Sequence, residues 1–138
     1  MKKVILISFL LIAFSIGHAQ EAGSIKVNVI NASSDEGKVL IGLYDSEASF
    51  LKKTYKGTMA KPVDGKCQVI FKDIPYGEYA VSIFHDENDN NKLDTNFMGI
   101  PKEDNACSNQ AKGFMGPPKY KDAKFTLGKE SITIPIKL

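Results

Sequence analysis

From Ser24 to Asn31 the chain reads SIKVNVIN, apolar at Ile25, Val27 and Val29 and mostly polar between them. That two-residue period is the mark of a strand with one buried face. SSDEG then supplies turn residues, and KVLIGLYD resumes the alternation with Val39, Ile41 and Leu43 on one side. Ser46 ahead of EASFLKK predicts one capped helical turn, with Phe50 and Leu51 plugging the core. TYKGTMAKPV and KCQVIFKDI flank Asp64 and Gly65. An Asp-Gly pair between two extended runs predicts an antiparallel hairpin because both residues accept positive φ, and it sets Cys67, Val69 and Phe71 on one face. In DIPYGEYAVSIF, Pro75 and Gly77 make a turn; Tyr79, Val81 and Ile83 then point one way and Ala80, Ser82 and Phe84 the other. Apolar residues on both faces predict a central strand. AKFTL and SITIPIKL predict a last hairpin around GKE, and Pro135, lacking an N–H, puts its strand at a sheet edge. About seven short strands with little helix describe an all-β fold, an antiparallel two-sheet sandwich.

One stretch breaks this rhythm. Residues 86–122 contain no run that reads as strand or helix, and so long a structureless segment inside a compact domain needs something other than a ladder to order it. It begins HDENDNNKLD, with oxygen-bearing side chains on alternate residues. Ca²⁺ takes six to eight oxygens, and a turn that offers them from its odd positions wraps them around one point. Asp86, Asn88, Asn90, the Lys92 carbonyl and Asp94 fill positions one, three, five, seven and nine of such a turn. Asn91 stands sixth, where glycine is usual, and asparagine is the next most tolerant of left-handed φ. Position twelve is Phe97 rather than a bidentate Glu, and no helix reads on either side, so this is not a helix–loop–helix site. The expected centre is a strand-to-loop Ca²⁺ turn closed by a distant carboxylate, Glu103 or Asp104. Two certain carboxylates predict a weak site. The competing reading is an Asx-turn loop whose side chains bond their own backbone.

The start of the chain changes where such chemistry would operate. Lys2 and Lys3, an apolar run from Val4 to Ile16, and Gly17 and Ala19 before a cut make residues 1–19 a secretory signal peptide, too short to be a transmembrane anchor. No cysteine lies near the cut. The expected mature chain, 20–138, is one sandwich domain, periplasmic or secreted, with no transmembrane segment. The whole chain has 18 Lys and 16 acids; without Lys2 and Lys3 the balance is sixteen to sixteen. Every basic residue is Lys and none is Arg, which removes the usual side chain for bidentate phosphate recognition and argues against nucleic acid. The charge is segregated: six acids against two Lys over 86–104, then five Lys against Asp122 over 112–129. Cys67 and Cys107 are the only cysteines, and an oxidising compartment makes them candidates for one disulfide.

Beyond the loop, chemistry is sparse. His85 is the only histidine after the expected cut and stands where strand meets loop; the reading is that it orients the loop by a side-chain hydrogen bond. There is no G-x-S-x-G, H-E-x-x-H or phosphate-binding glycine loop. Two other functions stay open: an envelope hydrolase using His85 and a loop carboxylate, or a carbohydrate-binding module stacking sugars on Phe97, Phe114 and Tyr120.

The segment IPYGEYAVSIFHDENDNNKLDTNFMGIPKED, followed by SN and GFMGPPKYKDAKF, resembles the secreted bacterial proteins grouped as domain of unknown function 2141. Their pattern falls here on His85, Asp86, Asn88, Asn90, Asp94, Asn96, Gly99, Pro101, Glu103, Ser108, Asn109, Gly116, Pro117, Pro118, Asp122, Ala123 and Phe125. Three positions depart from it: Asn91 replaces a turn glycine, Cys107 an aromatic and Tyr120 a Phe. The resemblance implies no activity. More distantly, I-P-x-G-x-Y is similar to prealbumin-like sandwich modules of bacterial surface proteins, some with calcium turns, and this implies a prealbumin- or immunoglobulin-like arrangement. The combined expectation is an exported binding or structural module of the cell envelope, with an envelope protein or a glycan as its partner.

Overall fold

A computed structural model describes residues 21–138. The expected signal peptide, 1–19, lies outside the described residues. Among the described residues there are eight strands: β1 (Ala22–Ile30), β2 (Lys38–Tyr44), β3 (Lys56–Ala60), β4 (Cys67–Pro75), β5 (Gly77–Asp86), β6 (Asn105–Cys107), β7 (Phe125–Leu127) and β8 (Ile132–Lys137). They form a sandwich of two sheets, ordered β4-β1-β8 and β3-β2-β5-β6, with β7 on the remaining part of β5. Alternation does what it predicts. Ile25, Val27 and Val29, then Val39, Ile41 and Leu43, then Tyr79, Val81 and Ile83 are all buried between the sheets, with Phe71, Ile74 and Leu127. β5 is central, paired with β2, β6 and β7.

The Asp64-Gly65 turn forms but does not make the expected hairpin. Asp64 (φ 51°) and Gly65 (φ 70°) are both left-handed, and Val63 and Lys66 exchange two backbone bonds of 2.9 and 3.1 Å. Beyond that turn the chain changes sheet, β3 pairing with β2 and β4 with β1. The turn is thus a corner between layers. Asp35, from the β1–β2 connection, clamps it by accepting the Asp64 and Gly65 N–H groups at 2.9 Å each. Those bonds, the one from Gly65 first, hold the Asp35 carboxyl below the usual carboxylate range.

The expected β7–β8 hairpin is absent too. β7 fills the edge of β5 at Gly77–Tyr79, whereas β8 crosses to β1 and pairs parallel to it, Ile25 to Ile132 through Ile30 to Lys137. Among the described residues, one parallel pair therefore sits in an otherwise antiparallel sandwich. β8 is an edge strand, as Pro135 requires. Residues 46–53 are turns rather than helix. Ser46 Oγ accepts the Ser49 N–H at 3.3 Å and Phe50 is buried, but Leu51 adopts φ 58° and is 37% exposed.

The segment expected to lack regular structure contains some. β6 pairs with Ser82–Phe84, a single 3₁₀ turn spans Ser108–Gln110, and α1 covers Tyr120–Ala123. β6 and β7 leave a gap opposite Ala80 and Val81 on β5. Buried Ser108 fills it, its Oγ accepting the Val81 N–H at 2.9 Å and donating to the Ala123 carbonyl at 2.6 Å. α1 brings Tyr120 and Ala123 onto the outer face of β5, where they form a second apolar cluster with Tyr44, Phe50, Ala80 and Cys107. Tyr120 meets Phe50 edge-on at 5.7 Å between ring centres.

The disulfide is not formed: Cys67 and Cys107 are free. Cys67 opens β4 and packs on the core between the sheets, while Cys107 on β6 belongs to the outer cluster. Burial raises both thiol pKa values.

Candidate functional site

Neighbouring residues at the end of β5 point to opposite faces, so His85 and Asp86 do different work although both are fully buried. His85 continues the inward series of Tyr79, Val81 and Ile83. Its Nε2 donates to the Glu36 carbonyl at 2.8 Å, its Nδ1 lies 3.4 Å from Ser33 Oγ, and its backbone N–H donates to the Asp104 carbonyl at 2.9 Å. The ring thus fixes the β1–β2 connection and lies 3.8 Å from the Glu87 carboxylate at the head of the long loop, while the main chain of His85 ties down Asp104 further along it. Ser33 Oγ also donates to Glu87 at 2.7 Å.

Asp86 organises the turn. Its Oδ1 accepts the Asn90 N–H at 3.0 Å and its Oδ2 the Asn91 N–H at 2.8 Å. A carboxylate placed that way folds the next five residues around itself. Asp89 (φ 60°) and Asn91 (φ 63°) take the left-handed conformation, so Asn91 performs the role of a turn glycine. Lys38 pairs with Asp89 at 2.6 Å. Asn90 Oδ1 accepts the Lys92 N–H at 2.9 Å and Asn88 Oδ1 the Asn90 N–H at 3.3 Å, the Asx-turn bonding weighed above.

At the centre stands Asp94. Asn88 Nδ2 donates to its Oδ2 at 2.6 Å, and Asn90 Nδ2 donates to its Oδ1 and Oδ2 at 3.0 and 3.1 Å. These bonds, those from Asn90 first, lower the Asp94 pKa. Glu103 Oε2 accepts the Asp94 N–H at 2.9 Å, and the Asp94 carbonyl accepts the Lys102 N–H at 2.8 Å. Five of the six predicted positions, Asp86, Asn88, Asn90, Asp94 and Glu103, therefore belong to one hydrogen-bonded unit, and Lys92 joins it through its N–H. Among the described residues no three His, Cys, Asp or Glu side chains form a metal-holding group. Two of the converging side chains are amides, and in the arrangement present these offer nitrogen to Asp94. An amide turned over presents oxygen instead; for Asn90 that exchanges the Lys92 bond for a ligand atom.

Gly37 is a site residue that alternation does not reveal. A Cβ there would lie 2.0 Å from the Asp86 carbonyl oxygen, and Gly37 has φ 62°. The β1–β2 connection rests directly on the backbone beneath the turn. Of the aromatics proposed for sugar stacking, Phe97 and Phe114 are exposed, but Tyr120 is buried against Phe50 and offers no face.

These features define a two-sheet β-sandwich with an acidic, amide-rich turn at one end. Over residues 27–135 the chain matches the bacterial family described as "Uncharacterized protein conserved in bacteria (DUF2141)", and it belongs to that family. No match was found among curated proteins or among solved structures.

Proposed function

We propose that this protein is an exported β-sandwich module of the bacterial cell envelope, binding or structural in role, whose Asp86–Asp94 turn holds Ca²⁺. The observation that carries the reading is the meeting of Asn88, Asn90 and Asp94 side chains at one point, above a turn already wound by Asp86. Under this reading Asp86 and Asp94 supply carboxylate oxygens, Asn88 and Asn90 amide oxygens, Lys92 its carbonyl, and Glu103 the closing charge. Asp86 can wind the turn and ligate at once, because each carboxylate oxygen has two lone pairs. Export rests on the N-terminal pattern of Lys2, Lys3 and the apolar run that follows. No helix among the described residues is long and apolar enough to cross a membrane.

A hydrolase using His85 has less support, since the ring is buried and holds the Glu36 carbonyl. Calcium titration tests the proposal. Binding in the range of extracellular modules, with Kd about 10⁻³ M, stabilises the fold by about 1.4 kcal/mol at tenfold excess. For a chain of this size that raises Tm by roughly 5 °C. Identical melting curves in about 10 mM calcium and in chelator would overturn the reading.

A further inference from the structure

The sandwich ends in several strand edges, and most are guarded. β8 carries Pro135, and the Gln110 side chain bonds both main-chain groups of Lys137, at 2.7 and 3.0 Å. β6 and β7 have three residues each. β4 is bent where its register with β1 shifts, opposite Gly23 and Ile25, and Asp73 takes φ 55°. β3 has no such bend. It keeps unbroken register with β2, Lys56 to Leu43 through Ala60 to Val39, and its residues from Lys56 to Met59 are exposed. Among the described residues no strand pairs with its other side. An open edge presents main-chain N–H and C=O groups, to which an extended peptide adds as a further strand.

Beside that edge lies a groove of about 310 Å³ on the outer face of the sheet. Strand alternation builds it. Val39, Ile41 and Leu43 face the core, which turns Leu40 and Gly42 outward. In register, Leu40 lies between Met59 and Phe84, and Gly42 between Gly57 and Ser82. A row of three apolar side chains thus adjoins a row without bulk. Thr54 covers Gly42, where an added Cβ would lie 2.8 Å from its Cγ2, whereas a Cβ on Gly57 would meet no atom nearer than 3.9 Å. The open part of the groove is therefore at the edge. A side chain standing opposite Gly57 on an added strand would cover the glycine and rest against Met59.

Charge decides what the edge receives. From Lys52 to Lys61 there are four Lys and no acid, and among the described residues none of the four forms an ion pair. Lys61 also acts on the Asp35 carboxyl, and Lys56 Nζ donates to the Lys72 carbonyl at 3.5 Å. Two copies of this chain joined at β3 would set these lysines against one another, the usual protection of an edge strand. A strand bearing carboxylates meets the opposite balance. With its apolar side chain opposite Gly57, its neighbouring residues lie opposite Lys56 and Thr58 on the other face, so a carboxylate there faces an ammonium group. We infer that β3 is a docking edge for an extended acidic peptide of a partner protein, added as a further strand with one apolar side chain held over Gly57. Ladder bonds supply affinity; the groove and the lysines select. This gives the binding role of the module a partner class and needs no cation, so the test is run in chelator and does not stand or fall with the Asp86–Asp94 turn.

The probe is a short fluorescein-labelled peptide of alternating Glu and Val with one central Phe, titrated with the chain from Gln20 onward. Its anisotropy should rise and saturate. Binding should weaken at least about tenfold when Lys replaces Glu in the peptide, and when one alternate set of peptide nitrogens is methylated but not the other. Gly57→Leu, which fills the groove, should weaken it as much with its melting temperature kept. In the triple variant Lys52→Glu, Lys53→Glu, Lys56→Glu the preference should reverse towards the Lys peptide. No saturable binding, equal binding of the Lys peptide, indifference to methylation, undiminished binding by Gly57→Leu, or a dimer of the chain alone paired through β3 would each overturn the inference.

Discussion

Ser108 and Asp35 show how much of this fold depends on single polar atoms standing in for strand partners. Ser108→Ala leaves the buried Val81 N–H without an acceptor, and should lower stability by about 1–3 kcal/mol in urea unfolding. An unchanged midpoint would mean the gap between β6 and β7 is bridged some other way. Asp35 acts through pH. Its folded pKa lies below 3.8, so its contribution is present above the unfolded value and lost as pH falls through the lower folded one. Asp35→Asn should therefore weaken the protein near neutrality and converge with the parent at strongly acid pH; a constant gap across the acid limb would contradict this. The oxygens at alternate positions of HDENDNNKLD were legible from spacing alone. The opposite facing of His85 and Asp86 was not read, because the apolar alternation stops at Phe84 while β5 runs on to Asp86, and the partner of His85 is a main-chain carbonyl, Glu36, that no side-chain pattern marks.

Single elements were legible where the hydrophobic period was long enough to fix a face. β1, β2 and β5 bury the residues their alternation assigns. Pairing was less so. Asp64-Gly65 specifies a tight turn and nothing about which sheet receives each arm, and β8 reaches β1 by a crossing invisible to local pattern. β6 has three residues, too few to show a period, and its order comes from β5. The cysteines lie on elements of different sheets, so denatured protein should take up two thiol-alkylating groups without prior reduction, and reductant should leave Tm unchanged; a missing adduct would restore the bridge. Gly37 links two elements by contact. Gly37→Ala drives a methyl group into the Asp86 carbonyl and should cost at least about 2 kcal/mol in a denaturant titration, while a nearly neutral variant would show that the β1–β2 connection can lift away.

Across the whole molecule, a sandwich closed by apolar alternation holds one end open for an acidic turn. The turn and the loop closed by the Thr95–Pro101 bridge share Asp94, which receives Asn88 and Asn90 on one side and bonds Lys102 and Glu103 through its main chain on the other. A cation at Asp94 would therefore stiffen both. Hydrogen exchange on the amides of Asn90, Asn91, Lys92 and Asp94, in calcium and in chelator, tests that claim most directly. Slower exchange at these four positions with calcium, and no such gain in Asp94→Ala, is the predicted result; equal protection in both conditions would contradict it.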